Sequence, residues 1–335
     1  MRILITGHTG FKGGWLSHLL ASFGHELFGY SDKIPSGGIY EISKVSDLFA
    51  KEEIANIKNE NDLGKFFKQV LPDFVIHLAA QPIVLKSYKD QLDTYQTNVN
   101  GTLNVLEAVN QSDTCAKVLI ITSDKVYKKS AKTIDFDESS CLGGGDPYSN
   151  SKAMADLLSQ SWVFDSKDKK VAIARAGNVI GAGDVSENRL VPDLFRALGS
   201  NEELIIRNKS SIRPWQHVLD CLNGYIHLID NFQSIENHST WNFGPIVDEK
   251  IDVQSVVRLF QRKFPKIKVG YSEDTGKEIE LKHLGIDSSK SAKEFNWKPK
   301  YNIQEAVEDI SFWYQGLFDG IDPVQLTKKS LEKFL

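Results

Sequence analysis

The segment Gly7-His8-Thr9-Gly10-Phe11-Lys12-Gly13 is the feature that most limits how this chain can fold. It joins a short apolar run, Met1–Thr6, to a stretch of helical length, Phe11–Phe23. Glycines at this spacing permit a tight turn, a close approach of the backbone to a diphosphate, and close packing of helix on strand. The N–H groups of the helix N-terminus attract phosphate. The segment therefore predicts a dinucleotide-binding α/β domain, with a plain structural turn as the alternative.

The first half of the chain alternates short apolar runs with longer helical stretches. The predicted strands are Met1–Thr6, His25–Tyr30, Phe74–Leu78, Lys117–Thr122 and Val171–Arg175. The predicted helices between them are Phe11–Phe23, Asp62–Val70, Asp90–Asn110 and Pro147–Phe164. This alternation requires right-handed crossovers, and it predicts an α/β fold with a Rossmann-type, doubly wound parallel sheet.

After residue 177 the alternation is interrupted by proline and glycine. The helices predicted there are Arg189–Leu198, Asp220–Phe232, Asp252–Phe264, Ser288–Phe295 and Ile303–Gly316, and the strands are Glu203–Ile206 and Trp241–Phe243. We expect residues 1–177 to form the dinucleotide-binding domain with the reactive residues. Residues 178–335 should form mainly a smaller α/β substrate-binding lobe, with chain crossings between the two.

Composition argues against several other classes of protein. The 335 residues include 40 Lys and Arg against 44 Asp and Glu, so no basic surface for nucleic acid or anionic membranes is indicated. No apolar run approaches the roughly 20 residues of a membrane span, and no signal-peptide pattern precedes the first strand. The spacing of Cys115, Cys141 and Cys221 fits neither a disulfide framework nor a metal site. We expect a cytoplasmic protein without a metal.

The residue that binds the adenosine ribose of a dinucleotide should follow the second strand, at Ser31 or Asp32. An aspartate there accepts from both ribose hydroxyls and repels a 2′-phosphate, which favours NAD over NADP. Ser31 is the other candidate, and a solvated turn aspartate is the structural alternative for Asp32.

Two motifs carry reactive side chains. Tyr148 and Lys152 are four residues apart and share one face of a predicted helix, where the ammonium stabilises a phenolate and makes Tyr148 a base for a sugar hydroxyl. Ser123, Asp124 and Lys125 follow a predicted strand at its carboxyl end, where open α/β sheets bind ligands. Ser123 can relay hydrogen bonds between Tyr148 and a substrate hydroxyl. Asp124 and Lys125 add an acid and a base that simple dehydrogenation does not need.

These motifs resemble those of the nucleotide-sugar 4,6-dehydratases, within the extended short-chain dehydrogenases/reductases. The resemblance runs through GHTGFKGGW (7–15), HLAAQPIV (77–84), TSDKVY (122–127), DPYSNSK (146–152), ARAGNVIG (174–181), RLVPD (189–193), IRNKSSIRPWQHV (206–218) and WNFGP (241–245). It continues to the C-terminal tail and so covers almost the whole chain. Asp-Lys rather than Asp-Glu after Ser123 separates the chain from the dTDP-glucose branch. Asn56 departs from the family, which often has aspartate there, near the adenine.

The resemblance implies NAD as the cofactor and CDP-glucose, or a related nucleotide-hexose, as the substrate. C4 oxidation, elimination of water across C5 and C6, and return of the hydride to C6 would supply a deoxyhexose for lipopolysaccharide O-antigen. Tyr148 would take the proton of the C4 hydroxyl. Lys125, acting while neutral, is the candidate C5 base and Asp124 the candidate acid for the departing water. The division of these last two roles stays open, because groups this close titrate together.

The resemblance also implies the binding residues. The expected cofactor contacts are Gly7, Thr9, Gly10, Phe11, Lys12, Gly13, Ser31, Asp32, Asn56, Ile57, Leu78, Ala79, Ala80, Asn98, Thr122, Tyr148, Lys152 and Ala176. The expected substrate contacts are Gln81, Ser123, Asn178, Arg189, Leu190, Arg207, Arg213 and His217. Arg213 is the first candidate for the pyrophosphate, because arginine binds it bidentately. A surface ion pair is the alternative for Arg207, and a structural hydrogen bond is the alternative for His217.

The apolar stripes of Asp90–Asn110 and Pro147–Phe164 exceed what one sheet face needs. The resemblance implies that these helices pair with their copies in a four-helix bundle, giving a homodimer or a tetramer, and a monomer is the alternative. A nucleotide-sugar 4-epimerase, or a dehydratase for another nucleotide, is the rival enzyme. A non-catalytic NAD-binding module is the rival from a different class, but such a module tends to lose the Tyr-Lys pair that this chain keeps.

Overall fold

The computed structural model describes residues 1–128, 135–245, 251–272 and 283–335, in which strands and helices alternate. The strands are β1 (Arg2–Thr6), β2 (Glu26–Ser31), β3 (Phe49–Ile54), β4 (Phe74–His77), β5 (Lys117–Ile121), β6 (Asp135–Phe136), β7 (Lys170–Ala176), β8 (Val179–Ile180), β9 (Glu203–Ile206), β10 (Gln216–His217), β11 (Thr240–Phe243), β12 (Lys268–Tyr271) and β13 (Gly285–Ile286). The helices are α1 (Phe11–Ser22), α2 (Ile39–Ile42), α3 (Glu60–Val70), α4 (Val84–Lys89), α5 (Gln91–Tyr95), α6 (Gly101–Gln111), α7 (Pro147–Ser161), α8 (Leu190–Ser200), α9 (Val218–Asp230), α10 (Val253–Lys263), α11 (Ser289–Phe295), α12 (Ile303–Phe318) and α13 (Pro323–Phe334).

A seven-stranded sheet in the order β11-β7-β5-β4-β1-β2-β3 forms the centre of the fold. All of its strands are parallel. The chain therefore has the doubly wound, Rossmann-type sheet that the sequence predicts. The strand order reverses between β1 and β4, and such a reversal opens a crevice beyond the carboxyl ends of the strands. β11 comes from the second half of the chain, so the chain crosses back to complete the large sheet.

The sheet separates two hydrophobic cores, because successive strand residues point to opposite faces. In β1, Ile3 and Ile5 belong to the core that includes α1, α9 and the later helices. Leu4, between them, belongs to the opposite core with Phe66 of α3 and Val105 of α6. All three β1 residues are fully buried, as expected for a central parallel strand.

Several elements differ from the sequence-based expectation, among them an edge strand and a long helix; the helices α2, α4 and α13 and the strands β6, β8, β10, β12 and β13 were not predicted either. β3, at the edge of the sheet, was not predicted, because its Phe-Ala-Lys-Glu-Glu-Ile sequence is half exposed and lacks a buried apolar run. The single helix predicted for Asp90–Asn110 consists of α5 and α6 joined by a π-helical turn, Gln96–Asn100. π-Helical turns often occur at functional sites, and this one carries the buried Asn98.

His77, at the end of β4, links this strand to β1 and α6. Its Nδ1 lies 2.7 Å from Thr6 Oγ1 of β1, and its Nε2 lies 3.1 Å from Thr102 Oγ1 of α6. Burial lowers the pKa of His77 to about 3 from its ordinary value of 6.5. The imidazole is therefore neutral in the folded protein at neutral pH.

We expect this neutral His77 to make the protein acid-sensitive. Between pH 6.5 and 3 the His77 imidazole is protonated in the unfolded state but stays neutral in the folded state. The free energy of unfolding should therefore fall as the pH falls below 6.5, by up to about 1.4 kcal/mol per pH unit from this residue. Urea denaturation at pH 7.5 and pH 5 measures the loss. His77→Asn should reduce it, and an equal loss in both proteins would contradict the assignment.

Candidate active site

The glycine turn between β1 and α1 has no room for a side chain at Gly7 or Gly13. Gly7 has a φ of +77°, and a Cβ on it would lie 2.6 Å from the backbone N of Ala79. A Cβ on Gly13 would lie 2.2 Å from the carbonyl O of Gly7. Gly10 is the N-cap of α1 and offers no side-chain acceptor to the first N–H groups of that helix. These donors are left for a ligand, so the turn fits the diphosphate of a dinucleotide.

The end of β2 places its two ribose candidates differently. Ser31 is buried, and its Oγ accepts from the backbone N–H of Thr9 at 3.3 Å and lies 3.1 Å from Nδ1 of His8. The other ring nitrogen of His8 lies 3.0 Å from a carboxylate oxygen of Glu52 in β3. Asp32 is exposed. Ser31 thus belongs to the buried network of the glycine turn, whereas Asp32 lies at its rim.

Tyr148 and Lys152 both lie in the first half of α7. Asp146 caps this helix by accepting from the backbone N–H of Ser149 at 2.9 Å, and Pro147 occupies its first position. The Lys152 ammonium donates to the carbonyl O of Ile121, at the end of β5, at 2.8 Å. Burial lowers the pKa of Lys152 to about 7. Burial also raises the pKa of the Tyr148 phenol.

Ser123, Asp124 and Lys125 follow β5 and begin a short 3₁₀ turn, Asp124–Val126. Ser123 Oγ accepts from the backbone N–H of Lys125 and donates to Asp124 Oδ1 at 3.0 Å. Ser123 also hydrogen-bonds to Tyr148, which opposes the rise of the phenol pKa. The reactive groups predicted from the two motifs therefore lie together.

The Asp124 carboxyl is buried and one of its oxygens is free. The residue is 2% exposed, and Oδ2 has no hydrogen-bond partner in the part of the chain that the structure describes. Burial raises the pKa of Asp124, although the charges of Lys125, Arg213 and Lys12 oppose the rise. The Asp124 carboxyl thus keeps its proton to a higher pH than an exposed aspartic acid, which suits an acid. Gly177, after β7, makes this position possible, because a Cβ there would lie 1.8 Å from Oδ2.

A buried ion pair supports the reactive residues from behind. Asp156 of α7 accepts from Arg175 of β7 at 2.8 and 2.6 Å, through both carboxylate oxygens. It also accepts from Thr122 Oγ1, next to Ser123, at 2.8 Å. The sequence motifs did not predict this ion pair. The signal was present in part, because Asp156 continues the helical face of Tyr148 and Lys152 at a further spacing of four residues.

Gln81 and Asn98 fix the loop that follows β4. The Gln81 N–H donates to Asn98 Oδ1, and Asn98 Nδ2 donates to Ser151 Oγ of α7, both at 2.8 Å. Ala79, in the same loop, faces Gly7 of the glycine turn. The π-helical turn therefore positions the loop after β4, which contains predicted cofactor contacts, against both the glycine turn and the helix that carries Tyr148.

The remaining predicted cofactor residues lie at strand ends and in the first turn of α1. Lys12 donates to Tyr225 OH of α9 at 3.3 Å. Ile57 is buried, while Asn56, beside it, is exposed and accepts from the N–H of Lys58. The predicted residues at the carboxyl ends of the strands are Leu78 and Ala80 after β4, Thr122 after β5 and Ala176 in β7.

Several of the predicted substrate residues lie near the reactive groups or next to Gly177. Arg213 is buried and interacts with Asp124, and Arg189, the N-cap of α8 beside Leu190, interacts with both Lys12 and Tyr148. Asn178 follows Gly177 in a left-handed conformation with a φ of +41°.

The surroundings of Arg207 and His217 differ from those of Arg213 and Arg189. Arg207 is exposed just beyond β9. His217 is the N-cap of α9, accepts from the N–H of Leu219, and lies 3.4 Å from Asp309 of α12. These contacts account for a structural role of His217 without a substrate.

A model of the NAD-dependent epimerase/dehydratase family matches residues 3–244. The chain belongs to this family. A CDP-glucose 4,6-dehydratase from Salmonella typhimurium is 34% identical, over 100% of this chain and 96% of the relative. A UDP-glucose 4-epimerase from Erwinia amylovora is 25% identical, over 93% and 97%. The predicted family resemblance is confirmed, and NAD is the family's cofactor, as predicted.

Solved structures confirm the fold of this family member. A dTDP-glucose 4,6-dehydratase from Streptomyces venezuelae, with NAD bound, superposes with a TM-score of 0.83 at 20% identity, over 97% of this chain and 100% of that one. A UDP-glucose 4-epimerase from Thermotoga maritima gives a TM-score of 0.82 at 20% identity, over 95% and 100%. Within the described ranges, no helix combines the length and apolarity needed to cross a membrane.

Proposed function

We propose that this protein is a nucleotide-sugar 4,6-dehydratase that converts CDP-glucose to CDP-4-keto-6-deoxyglucose and water. One observation carries the proposal: the buried Asp124 carboxyl, with its free Oδ2, lies beside Ser123 and Tyr148. An epimerase requires the tyrosine, lysine and serine but has no leaving hydroxyl to protonate. The similarity to a CDP-glucose 4,6-dehydratase supports the choice of nucleotide.

Oxidation at C4 depends on Tyr148, Ser123 and Lys152. Tyr148 takes the proton of the C4 hydroxyl, and Ser123, hydrogen-bonded to Tyr148, orients that hydroxyl. The Lys152 ammonium, held by the Ile121 carbonyl, stabilises the phenolate. The glycine turn would hold NAD, which would supply the acceptor for the C4 hydride and the hydride that C6 receives as C5 regains a proton.

Elimination of water depends on Lys125 and Asp124. The 4-keto group acidifies the C5 proton, and Lys125 takes that proton while neutral. The C5–C6 double bond forms as the C6–O bond breaks, and Asp124 gives its proton to the departing hydroxyl, which leaves as water. The raised pKa of Asp124 suits this role, because the acid must hold its proton until the hydroxyl leaves.

The substrate pyrophosphate should lie between the two halves of the chain. Arg213 and Arg189 supply guanidinium groups near Asp124 and Lys12, and arginine binds phosphate oxygens bidentately. Asn178 directly follows Gly177, against which the Asp124 carboxyl lies.

A substrate panel tests the function. Purified protein and NAD are incubated separately with CDP-, dTDP-, UDP- and GDP-glucose. Mass spectrometry measures the loss of water from each sugar. We expect dehydration of CDP-glucose. Dehydration of another nucleotide sugar would overturn the assigned base. Conversion to galactose nucleotides without loss of water would replace the proposal with a 4-epimerase, and binding of NAD without any turnover would favour a non-catalytic module.

Gly177→Ala should selectively impair the elimination. The added Cβ would occupy the place of Asp124 Oδ2, so the carboxyl must move. We expect dehydration to fall by about 100-fold, within the range of a lost general acid, while reduction of NAD by substrate continues. The change in absorbance of bound NADH and the yield of dehydrated product are measured together. Gly199→Ala, in α8 with open space around its Cβ, is the matched control and should retain activity.

We further propose a homodimer, or a pair of dimers, built on a four-helix bundle. Large apolar side chains are exposed on α5, α6 and α7, namely Leu92, Leu103, Met154 and Leu157. Such a cluster favours burial against a second copy. Leu157→Glu should lower the mass measured by sedimentation, whereas Phe312→Glu, at a comparably exposed site on α12, should not. A monomeric wild-type protein would contradict the proposal.

A cytoplasmic location and a role in surface-polysaccharide synthesis are proposed from the family resemblance.

A further inference from the structure

The side chain of Gln216 joins the ends of two neighbouring strands of the large sheet. Gln216 lies in β10 and is 2% exposed, and its amide Nε2 donates to the carbonyl O of Gly177 at 3.2 Å and to that of Phe243 at 2.7 Å. Gly177 directly follows β7, and Phe243 is the last residue of β11. A primary amide has two N–H groups, so both donors of Gln216 are used to hold these two carbonyls.

The link made by Gln216 begins where the pairing of these two strands ends. The registered pairs of β7 and β11 end at Ala176 and Phe243, so Gly177 is the first residue beyond their ladder. Asn178, which follows, has a φ of +41°, a left-handed conformation that is uncommon for residues other than glycine. Its carbonyl accepts from the backbone N–H of Gln216 at 3.3 Å. Gln216 therefore holds both residues of this turn, one through its side chain and one through its backbone.

Gly177 in turn determines where the Asp124 carboxyl can lie. A Cβ on Gly177 would lie 2.0 Å from Cγ of Asp124 and 1.8 Å from its Oδ2, so the carboxyl packs directly against this glycine. Oδ1 accepts from Ser123 Oγ at 3.0 Å, whereas Oδ2 has no hydrogen-bond partner among the described residues. The position of Oδ2 therefore depends on packing against Gly177, because no hydrogen bond fixes it.

We propose that Gln216 is a positioning residue for the elimination of water: by holding Gly177, it keeps the Asp124 carboxyl where the C6 hydroxyl leaves. Asp124 gives its proton to that hydroxyl as the C6–O bond breaks, and a displacement of about 1 Å can cost such a step about 100-fold. The inference rests on the proposed function and identifies the residue that fixes its acid.

The groups that oxidise C4 are held by other elements. The Lys152 ammonium donates to the Ile121 carbonyl, and the backbone N–H of Tyr148 donates to Ser87 Oγ of α4 at 3.1 Å. Loss of the Gln216 amide should therefore slow the elimination and leave the oxidation in place.

Gln216→Met tests the proposal, because methionine has nearly the length of glutamine but no N–H to donate. The variant and the wild type are each mixed with NAD and CDP-glucose, or with the sugar of the substrate panel that the wild type dehydrates. Stopped-flow absorbance measures NADH from C4 oxidation, and mass spectrometry of the quenched sugar measures the loss of water. We expect the loss of water to slow by about 10- to 100-fold, while NADH still forms at the wild-type rate. Gln261→Met, which removes an amide donor to the Ile267 carbonyl beside α10, is the matched control and should dehydrate normally.

Combination with Asp124→Asn separates positioning of the acid from general damage to the site. Once the acid is absent its position no longer matters, so Gln216→Met should add little to the loss in Asp124→Asn. General damage would instead lower the residual rate by the same factor again. Equal losses in the two backgrounds, or wild-type dehydration by Gln216→Met, would overturn the proposal.

Gln216→Asn takes the place of Gln216→Met if circular dichroism shows that the latter does not fold. Its shorter amide cannot reach both carbonyls, so it should show the same selective loss at a smaller size, and its absence would overturn the proposal. A wild-type protein that dehydrates no sugar of the panel would refute the proposed function, and this inference with it. A wild type that dehydrates, beside Gln216 variants that do so equally, would refute only the role of Gln216.

Discussion

Replacing Asp124 with asparagine should lower formation of the 4-keto-6-deoxy product by about 100- to 10,000-fold, the range of a lost general acid. The amide fills the same buried place but has no acidic proton to give to the C6 hydroxyl. Tyr148, Ser123 and Lys152 are unchanged, so oxidation at C4 should continue. Enzyme-bound NADH and the 4-keto sugar should then accumulate, because the hydride is not consumed at C6.

Stopped-flow absorbance at the NADH band, with mass spectrometry of the quenched sugar, measures both halves of the reaction. Tyr148→Phe is the matched control, since it removes the C4 base and should abolish the NADH signal as well as the product. The raised pKa of Asp124 also predicts that wild-type elimination falls as the pH rises past that pKa, when the acid loses its proton. Normal dehydration by Asp124→Asn would assign the acid to another group.

Arg175→Met should produce the largest loss of stability. It leaves the buried Asp156 carboxylate without the guanidinium that binds both of its oxygens, and its other hydrogen bonds among the described residues come from the neutral side chains of Thr122 and Gln160. Removal of one partner of a buried ion pair costs about 3–5 kcal/mol, because the remaining charge is neither solvated nor paired. The loss is expected to lower the urea midpoint of unfolding markedly.

A double variant separates charge from packing. Asp156→Leu combined with Arg175→Met removes both charges and should be more stable than Arg175→Met alone. An Arg175→Lys variant keeps one charge but not the two parallel hydrogen bonds, and should be intermediate. If the single and double variants unfold at the same urea concentration, an unpaired charge is not the cause of the loss.

The parts of the fold and site that the sequence predicts are those with local signals. Buried strands such as Phe74–His77 read as short branched apolar runs, and the glycine turn has its pattern within seven residues. The spacing of four residues predicts that Tyr148 and Lys152 share one helical face. The position of Ser123 and Asp124 directly after a predicted strand indicates that they lie in the site. The proximity of these two motifs follows from the parallel sheet, whose carboxyl ends face one crevice.

The parts that the sequence did not predict depend on contacts between distant segments. From the sequence, Gly177 is indistinguishable from any loop glycine. The structure shows that the Asp124 carboxyl lies where a Cβ on Gly177 would be. From the sequence, Arg175 is only a polar residue at the end of a strand. The structure shows that it forms an ion pair with Asp156. β3 is recognisable only through its pairing with β2, because its own residues are half exposed. Local pattern cannot supply such pairings.

Both margins of the sheet resist the addition of a further strand. At one margin, β3 carries Lys51, Glu52 and Glu53, so an approaching strand would meet charge. At the other, side chains already occupy the free backbone groups of β11. The N–H of Asn242 donates to Glu138, and its carbonyl accepts from Ser291 Oγ at 2.6 Å. Sheet-to-sheet aggregation is thereby discouraged, and two copies of this chain should meet through helices rather than by extending their sheets.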